Sequence, residues 1–231
     1  SYRDAWLSEG LATYCGLVYL QTVRRRNDDY YRFLDEYRTE ILAVRQHAGP
    51  ISIGYRNSTP DAPFGYQQVV YGKGAWVFHM LRVLMLDLST LRSERFNEML
   101  RDYYRTFRGG EVSTLDFRAM VERHAGMPMG WFFDQWVHGT QVPTYRVSWR
   151  SEPADGGRFR VHLTVRQENV PESFRMPVLV AADLGDRRTA RFRIEVQGGQ
   201  TEYTSPLLPA EPRGLTFNEF QSVLAEVRME R

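Results

Sequence analysis

The stretch Asp4-Ala5-Trp6-Leu7-Ser8-Glu9-Gly10-Leu11-Ala12-Thr13-Tyr14 sets a carboxylate, Glu9, inside an otherwise apolar run. From Ala5 to Val23, apolar residues at Leu7, Leu11, Tyr14 and Val18 recur at helical spacing. The segment therefore reads as a helix with Glu9 facing inward. Burying an ionised carboxylate without a cation or hydrogen-bond donors costs several kcal/mol or more. A fold that buries this helix must bring Glu9 a partner, and a metal ion is one such partner. Taken alone, the residue also suits a helix surface, or a helix start where an acid answers the macrodipole. Further along stands Tyr71-Gly72-Lys73-Gly74, which holds the chain's single lysine.

Trp6-Leu7-Ser8-Glu9-Gly10-Leu11-Ala12-Thr13-Tyr14 resembles the helix that carries the glutamate zinc ligand of the gluzincin aminopeptidases, the aminopeptidase N family. The resemblance puts Glu9 at the ligand position, with Ser8 where the family has Asn. Tyr71 heads the family's Y-x-K-G motif. There the resemblance implies a hydroxyl that donates to the oxyanion of the tetrahedral intermediate, a neutral donor aimed at developing charge. Read alone, Tyr71 is equally an aromatic at a helix start packing among Phe64, Tyr66 and Trp76. Gly72 and Gly74 suit close backbone approach and are otherwise poor helix residues. Lys73 and Ser8 are expected to be structural or to support the site from behind. Phe132-Phe133-Asp134-Gln135-Trp136 also recurs in the family and reads as packing of a last helix.

The family draws its other two zinc ligands from H-E-x-x-H on a preceding helix. None of the 5 histidines here, His47, His79, His124, His138 and His162, stands four residues from another, so that motif is absent. The family spacing would place it before Ser1. The expectation is a C-terminal piece of a longer zinc enzyme, inactive by itself because the two histidines and the general base lie upstream. The solitary histidines read as caps, surface or core residues.

Net charge is +2, which argues against nucleic acid as a partner. Arg24-Arg25-Arg26 reads as a solvated helix end. With one cysteine, Cys15, no internal disulfide can form, and its helix position reads as core-facing. No apolar run is long enough to span a membrane. Cytoplasmic, periplasmic and secreted locations all remain open, as does the oligomeric state.

Helical patterns fill the first part: Ala5 to Val23, a second helix capped by Asn27-Asp28-Asp29, a third from about Tyr66 to Leu88, a fourth from about Ser93 to Phe107. A fifth is capped by Ser113 or Thr114, and a short sixth runs from Met129 to His138. Ile51 to Gly65 reads as loop. After Pro143 the chain alternates polar with β-branched or aromatic residues between Gly turns, and Leu215–Phe217 and Val223–Ala225 supply the last two of about seven strands. The expected fold class is α+β: a helical C-terminal lobe of a thermolysin-like catalytic domain at 1–142, followed by an antiparallel β-sandwich at 143–231. Val161 to Gln167, followed by Phe174-Arg175-Met176-Pro177-Val178, resembles the family's sandwich.

The implied function is hydrolysis of N-terminal peptide bonds by a zinc-activated water, with a peptide as substrate. Two departures bear on it. Gly16 stands where many members have a carboxylate behind a zinc ligand, and the family's amine-binding G-A-M-E-N would also lie upstream. Two alternatives stay open: a non-catalytic scaffold that binds proteins, and a related zinc hydrolase acting on a non-peptide substrate.

Overall fold

Helix α1 (Trp6–Thr22) buries Trp6, Leu7, Gly10, Tyr14 and Leu17, one stripe of its surface. The computed structural model describes residues 1–230, and the chain divides into two units, Ser1–Gln141 and Val142–Arg231. The first unit is helical. After α1 come α2 (Asn27–Val44), α3 (Gly74–Leu84), α4 (Glu94–Phe107), α5 (Thr114–Ala125) and α6 (Gly130–Trp136). Helix α3 is the centre, buried at every position from Gly74 to Leu81. Trp6, Phe78 and Phe117 meet there, with ring centroids 5.3 to 5.7 Å apart, an arrangement that adds edge and offset attraction to area burial.

Polar groups inside this core are paired. The Trp76 indole N–H donates to the Leu34 carbonyl at 3.0 Å. His79, buried as a core histidine, lies with its Nδ1 2.7 Å from the Tyr30 hydroxyl. The Arg82 guanidinium donates to Gln21 and Ser93. Helix α5 begins in a capping box in which Ser113 and Asp116 bond each other's backbone N–H. Asp4 adds a second clasp, accepting from both the N–H and the hydroxyl of Thr114 at 2.8 Å. The Trp6 indole in turn donates to that hydroxyl.

Several local expectations are corrected. Asn27, Asp28 and Asp29 lie inside α2 rather than capping it. The N-cap is Arg26, whose guanidinium pairs with Asp29 in the first turn. The stretch expected to be loop carries a 3-10 segment, Ile51–Asn57, kinked where Gly54 takes a φ of 56°. The Tyr2 carbonyl presses against Gly54 closely enough to leave no room for a side chain. Cys15 is exposed, because the stripe that α1 buries runs through Tyr14 and passes it by.

The second unit holds two sheets. One has the order β5-β2-β1-β7 and the other β4-β3-β6, with β1 at Thr144–Ala154, β2 at Arg158–Glu168, β3 at Arg175–Asp183, β4 at Thr189–Gln197, β5 at Gln200–Thr204, β6 at Gly214–Phe217 and β7 at Glu226–Met229. The sheets face each other through rings. Tyr145 on β1 meets Phe217 on β6, and Phe192 on β4 stacks on Tyr203 of β5. Strand β2 alternates as a half-buried strand should, with Val161, Leu163, Val165 and Gln167 inward. The buried Gln167 amide donates to the carbonyls of Phe174 and Gly198 at 3.0 and 3.1 Å, so it ties the strand to the two turns flanking it.

Strand pairing corrects two expectations. Val223–Ala225 is a buried bend, and the last strand is Glu226–Met229. It lies parallel to β1, so the sandwich is not wholly antiparallel. Asn218, in a left-handed conformation, makes the bend: its amide donates to the Val223 carbonyl and accepts from the Ser222 hydroxyl and the Val223 N–H. The architecture is α+β.

Candidate functional site

Two glycines set the geometry. A Cβ built on Gly10 would stand 2.9 Å from the Gly74 backbone, and one on Gly74 would stand 3.0 Å from the Gly10 Cα. With no side chain on either, α1 lies directly against the start of α3. Each glycine immediately follows a candidate residue, Glu9 or Lys73. Gly72 is different: a Cβ there would make only ordinary contacts, 3.6 Å from Tyr37.

Leading into α3, Gln67–Lys73 is π-helical. Its wider turn is visible at the junction, where the Gly74 N–H donates to Val69 as well as Tyr71. Wide turns of this kind are frequent at functional sites, where they re-aim side chains that a regular helix would disperse. Tyr71 sits in this segment, half-buried. Burial raises the pKa of its phenol, and hydrogen bonding and charge from Glu9 raise it further. The phenol therefore stays protonated across the neutral range and can only donate or accept as a neutral group.

Glu9 departs from the expectation of a sunken carboxylate. It is half-buried, at the rim of the stripe that α1 packs inward. Among the described residues no arginine, lysine or histidine pairs with its carboxylate; its titratable neighbour is the Tyr71 phenol. Ser8 is exposed and donates its hydroxyl to the Ala5 carbonyl of its own helix at 2.9 Å, away from this pair. Thr13 back-bonds to the Glu9 carbonyl at 2.8 Å, holding the turn that presents it.

Lys73 is only 2% exposed. Its ammonium donates to the Gly139 carbonyl at 2.7 Å and lies 6.0 Å from the Trp136 ring centre. Burial pulls its pKa from 10.5 to about 7. The contact anchors the start of α3 to the segment after α6. Phe132, Phe133 and Trp136 of α6 are buried, while Asp134 faces solvent.

Sequence reasoning already paired Glu9 with Tyr71 through the resemblance, but missed the backbone contact and the widened turn that relate them. The Gly10–Gly74 contact had half a signal, in Gly74. Tyr66, expected among the aromatics near Tyr71, does meet its ring edge-on, centroids 5.5 Å apart at 80°, through a wide turn with no signal in the spacing.

The other histidines take structural places. His124 Nε2 lies 3.0 Å from Asp102, His162 pairs with Glu152 at 2.9 Å, and His47 and His138 are exposed. Among the described residues, no three His, Cys, Asp or Glu side chains gather as a metal cluster. No described helix is long and apolar enough to cross a membrane. As a donor, Glu9 fits a cation: an oxygen ligand without a competing cation, on a packed helix.

Comparison with known proteins meets the site from outside. The model of the peptidase family M1 domain matches residues 1–136. Aminopeptidase M1-B of Oryza sativa subsp. japonica is 27% identical over 144 residues, 62% of this chain and 16% of that protein. Aminopeptidase M1-C of the same plant is 24% identical over 147 residues, again covering 16% of its length. The chain thus spans about a sixth of the curated relatives it matches. Among solved structures, aminopeptidase A of Legionella pneumophila, crystallised with aspartic acid, matches the whole chain with a TM-score of 0.63 at 15% identity, over 25% of its own length. That likeness is one of fold.

Proposed function

This chain belongs to peptidase family M1, and on that premise we propose that it forms part of a zinc-dependent aminopeptidase whose remaining metal ligands and general base lie outside these 231 residues. The observation that carries the reading is the convergence of Glu9 and Tyr71, from two helices held in backbone contact by Gly10 and Gly74. In this reading Glu9 holds zinc together with two histidines from elsewhere. Zinc bound there supplies Lewis-acid polarisation of a peptide carbonyl and activation of water.

The chain's own residues do the rest. Tyr71, kept neutral by burial and by Glu9, donates its hydroxyl to the carbonyl oxygen as that oxygen gains charge. A donor already aimed there needs no reorganisation during reaction, and one such donor is worth about 3 kcal/mol of barrier. The π-helical turn presents the phenol. Lys73, tied to Gly139, holds the segment carrying it. The helical unit is assigned to the catalytic domain, and the strand unit to an accessory domain. A peptide with a free N-terminus is the proposed substrate, a class supported by the aminopeptidases that this chain resembles.

The test uses the whole protein. It should hydrolyse aminoacyl-p-nitroanilides, lose activity to 1,10-phenanthroline and recover with zinc, and Glu9→Gln should lower its zinc content. The 231-residue chain alone should neither turn over substrate nor hold zinc tightly. Turnover by the isolated chain, or full zinc content in Glu9→Gln, overturns the reading.

A further inference from the structure

The structure assigns Tyr66 as the positioning residue for Tyr71: its ring edge-packs against the Tyr71 phenol and holds it in the rotamer that faces Glu9, and the π-helical turn Gln67–Lys73 is what makes that contact possible. The inference rests on the reading of Tyr71 just given for its consequence in catalysis, but its geometric part does not.

Tyr66 and Tyr71 are five residues apart. In a regular α-helix, residues five apart diverge by about 140° around the axis, so their side chains leave on different faces. A π-helix closes its hydrogen bonds from i to i+5 and so brings residues five apart back toward one face. The segment that takes this form begins directly after Tyr66 and includes Tyr71. The outcome is the contact observed, ring centroids 5.5 Å apart at an interplanar angle of 80°. Such a T-shaped pair lets the positive edge of one ring meet the negative face of the other.

The Tyr66 backbone is itself anchored. It is helical, φ −61° and ψ −48°, and its N–H donates to the Ser58 hydroxyl at 3.3 Å. The Tyr71 phenol also interacts with the Glu9 carboxylate. A phenol in contact with a neighbouring ring and interacting with a carboxylate loses freedom to swing outward. That restriction has catalytic value only if set before substrate arrives, because a donor that must first be ordered contributes less. A wide turn is also an unfavourable way to build a helix, and a use for it is the stacking of these two rings.

The test reads Tyr71 directly. In the protein with ¹³C,¹⁵N-labelled tyrosine, the three-bond couplings from Tyr71 Cγ to its backbone N and C′ report χ1. Wild type and Tyr66→Phe should show one rotamer, and Tyr66→Ala an average over several. Should the alanine variant fold poorly, Tyr66→Leu keeps bulk without the aromatic edge and should also average. A single unchanged Tyr71 rotamer in a folded Tyr66→Ala or Tyr66→Leu protein overturns the assignment. In the whole enzyme, Tyr66→Ala should lower kcat between about tenfold and a hundredfold with KM little changed, and Tyr66→Phe should restore most of it. If the couplings average but Tyr71→Phe keeps full kcat, the positioning stands and the oxyanion reading falls. If Tyr71→Phe removes activity while Tyr66→Ala keeps full kcat, the oxyanion reading stands and the catalytic value of the positioning falls.

Discussion

Gly10 and Gly74 touch through their backbones: a Cβ on the first would lie 2.9 Å from the Cα of the second. That contact lets α1 and α3 approach closely enough for side chains flanking the crossing to share one site. Glu9 precedes one glycine directly, and Tyr71 lies one turn before the other. The two helices are also joined by packing of Trp6 and Tyr14 on Phe78. Small residues at a crossing and large ones beside it are how a close approach is built and then held.

Gly10→Ala should therefore destabilise. Replacing a helical glycine by alanine favours the helix by about 1 kcal/mol, but here the new methyl meets backbone, which cannot rotate away, and overpacking costs ~1–3 kcal/mol. Gly16 supplies the matched control on the same helix. It is exposed, with nothing within 4 Å of a built Cβ, so Gly16→Ala should stabilise by up to ~1 kcal/mol. Urea midpoints of the two variants should move in opposite directions; a shared direction would show the glycine contact to be slack.

Tyr71→Phe in the whole enzyme should lower kcat by about 10²–10³-fold while zinc content and KM hold. Glu9→Gln should lower zinc content first and activity with it. Metal analysis beside steady-state kinetics separates the two roles, and loss of zinc in Tyr71→Phe would contradict them.

Lys73 should leave a pH signature on stability. Its pKa falls from 10.5 to about 7 on folding because burial disfavours the ammonium. Between those values the unfolded chain holds a proton that the folded chain gives up, so this group makes stability rise with pH across the window. Below about pH 7 both states are protonated and the full cost of burying the charge is present. A neutral amine still donates to Gly139. Lys73→Met removes the slope, so the variant's stability relative to wild type should be greatest near pH 6.5 and shrink toward pH 10. A difference that is flat with pH contradicts the assignment.

Tyr145 is wholly buried in the sandwich, and its hydroxyl has no hydrogen-bond partner among the described residues. Burial, and the charge of Glu195 nearby, drive its pKa well up. The ring packs against Phe217, and burying a hydroxyl without a protein partner carries a desolvation cost. Tyr145→Phe should keep the packing and be neutral or stabilising by about 1 kcal/mol, measured as the thermal midpoint. A loss of more than that would reveal a bond the hydroxyl makes.

Much of the chain was legible as sequence because its signals are local. The repeat from Trp6 onward marks α1, Ser113 three residues before Asp116 marks the start of α5, and alternation from Val161 to Gln167 marks a strand. Each depends on residues within a turn or two of one another, where propensity and period suffice. The α+β class follows from those patterns, and the likeness around Glu9 and Tyr71 pointed to the family that the M1 domain model matches.

Only the tertiary structure decided the rest. Cys15 turned outward because α1 buries the face running through Gly10 and Tyr14, and that face is chosen by α3, far along the chain. The final strand became Glu226–Met229, parallel to β1, because a left-handed Asn218 and its bonds to Ser222 and Val223 set where the chain could re-enter the sheet. Glu9 came out half-buried beside a phenol, and Tyr66 came onto the face of Tyr71 through a widened turn. Spacing along a chain states which residues share a helix face; which face meets which, and at what distance, is settled by packing between segments that the chain order leaves apart.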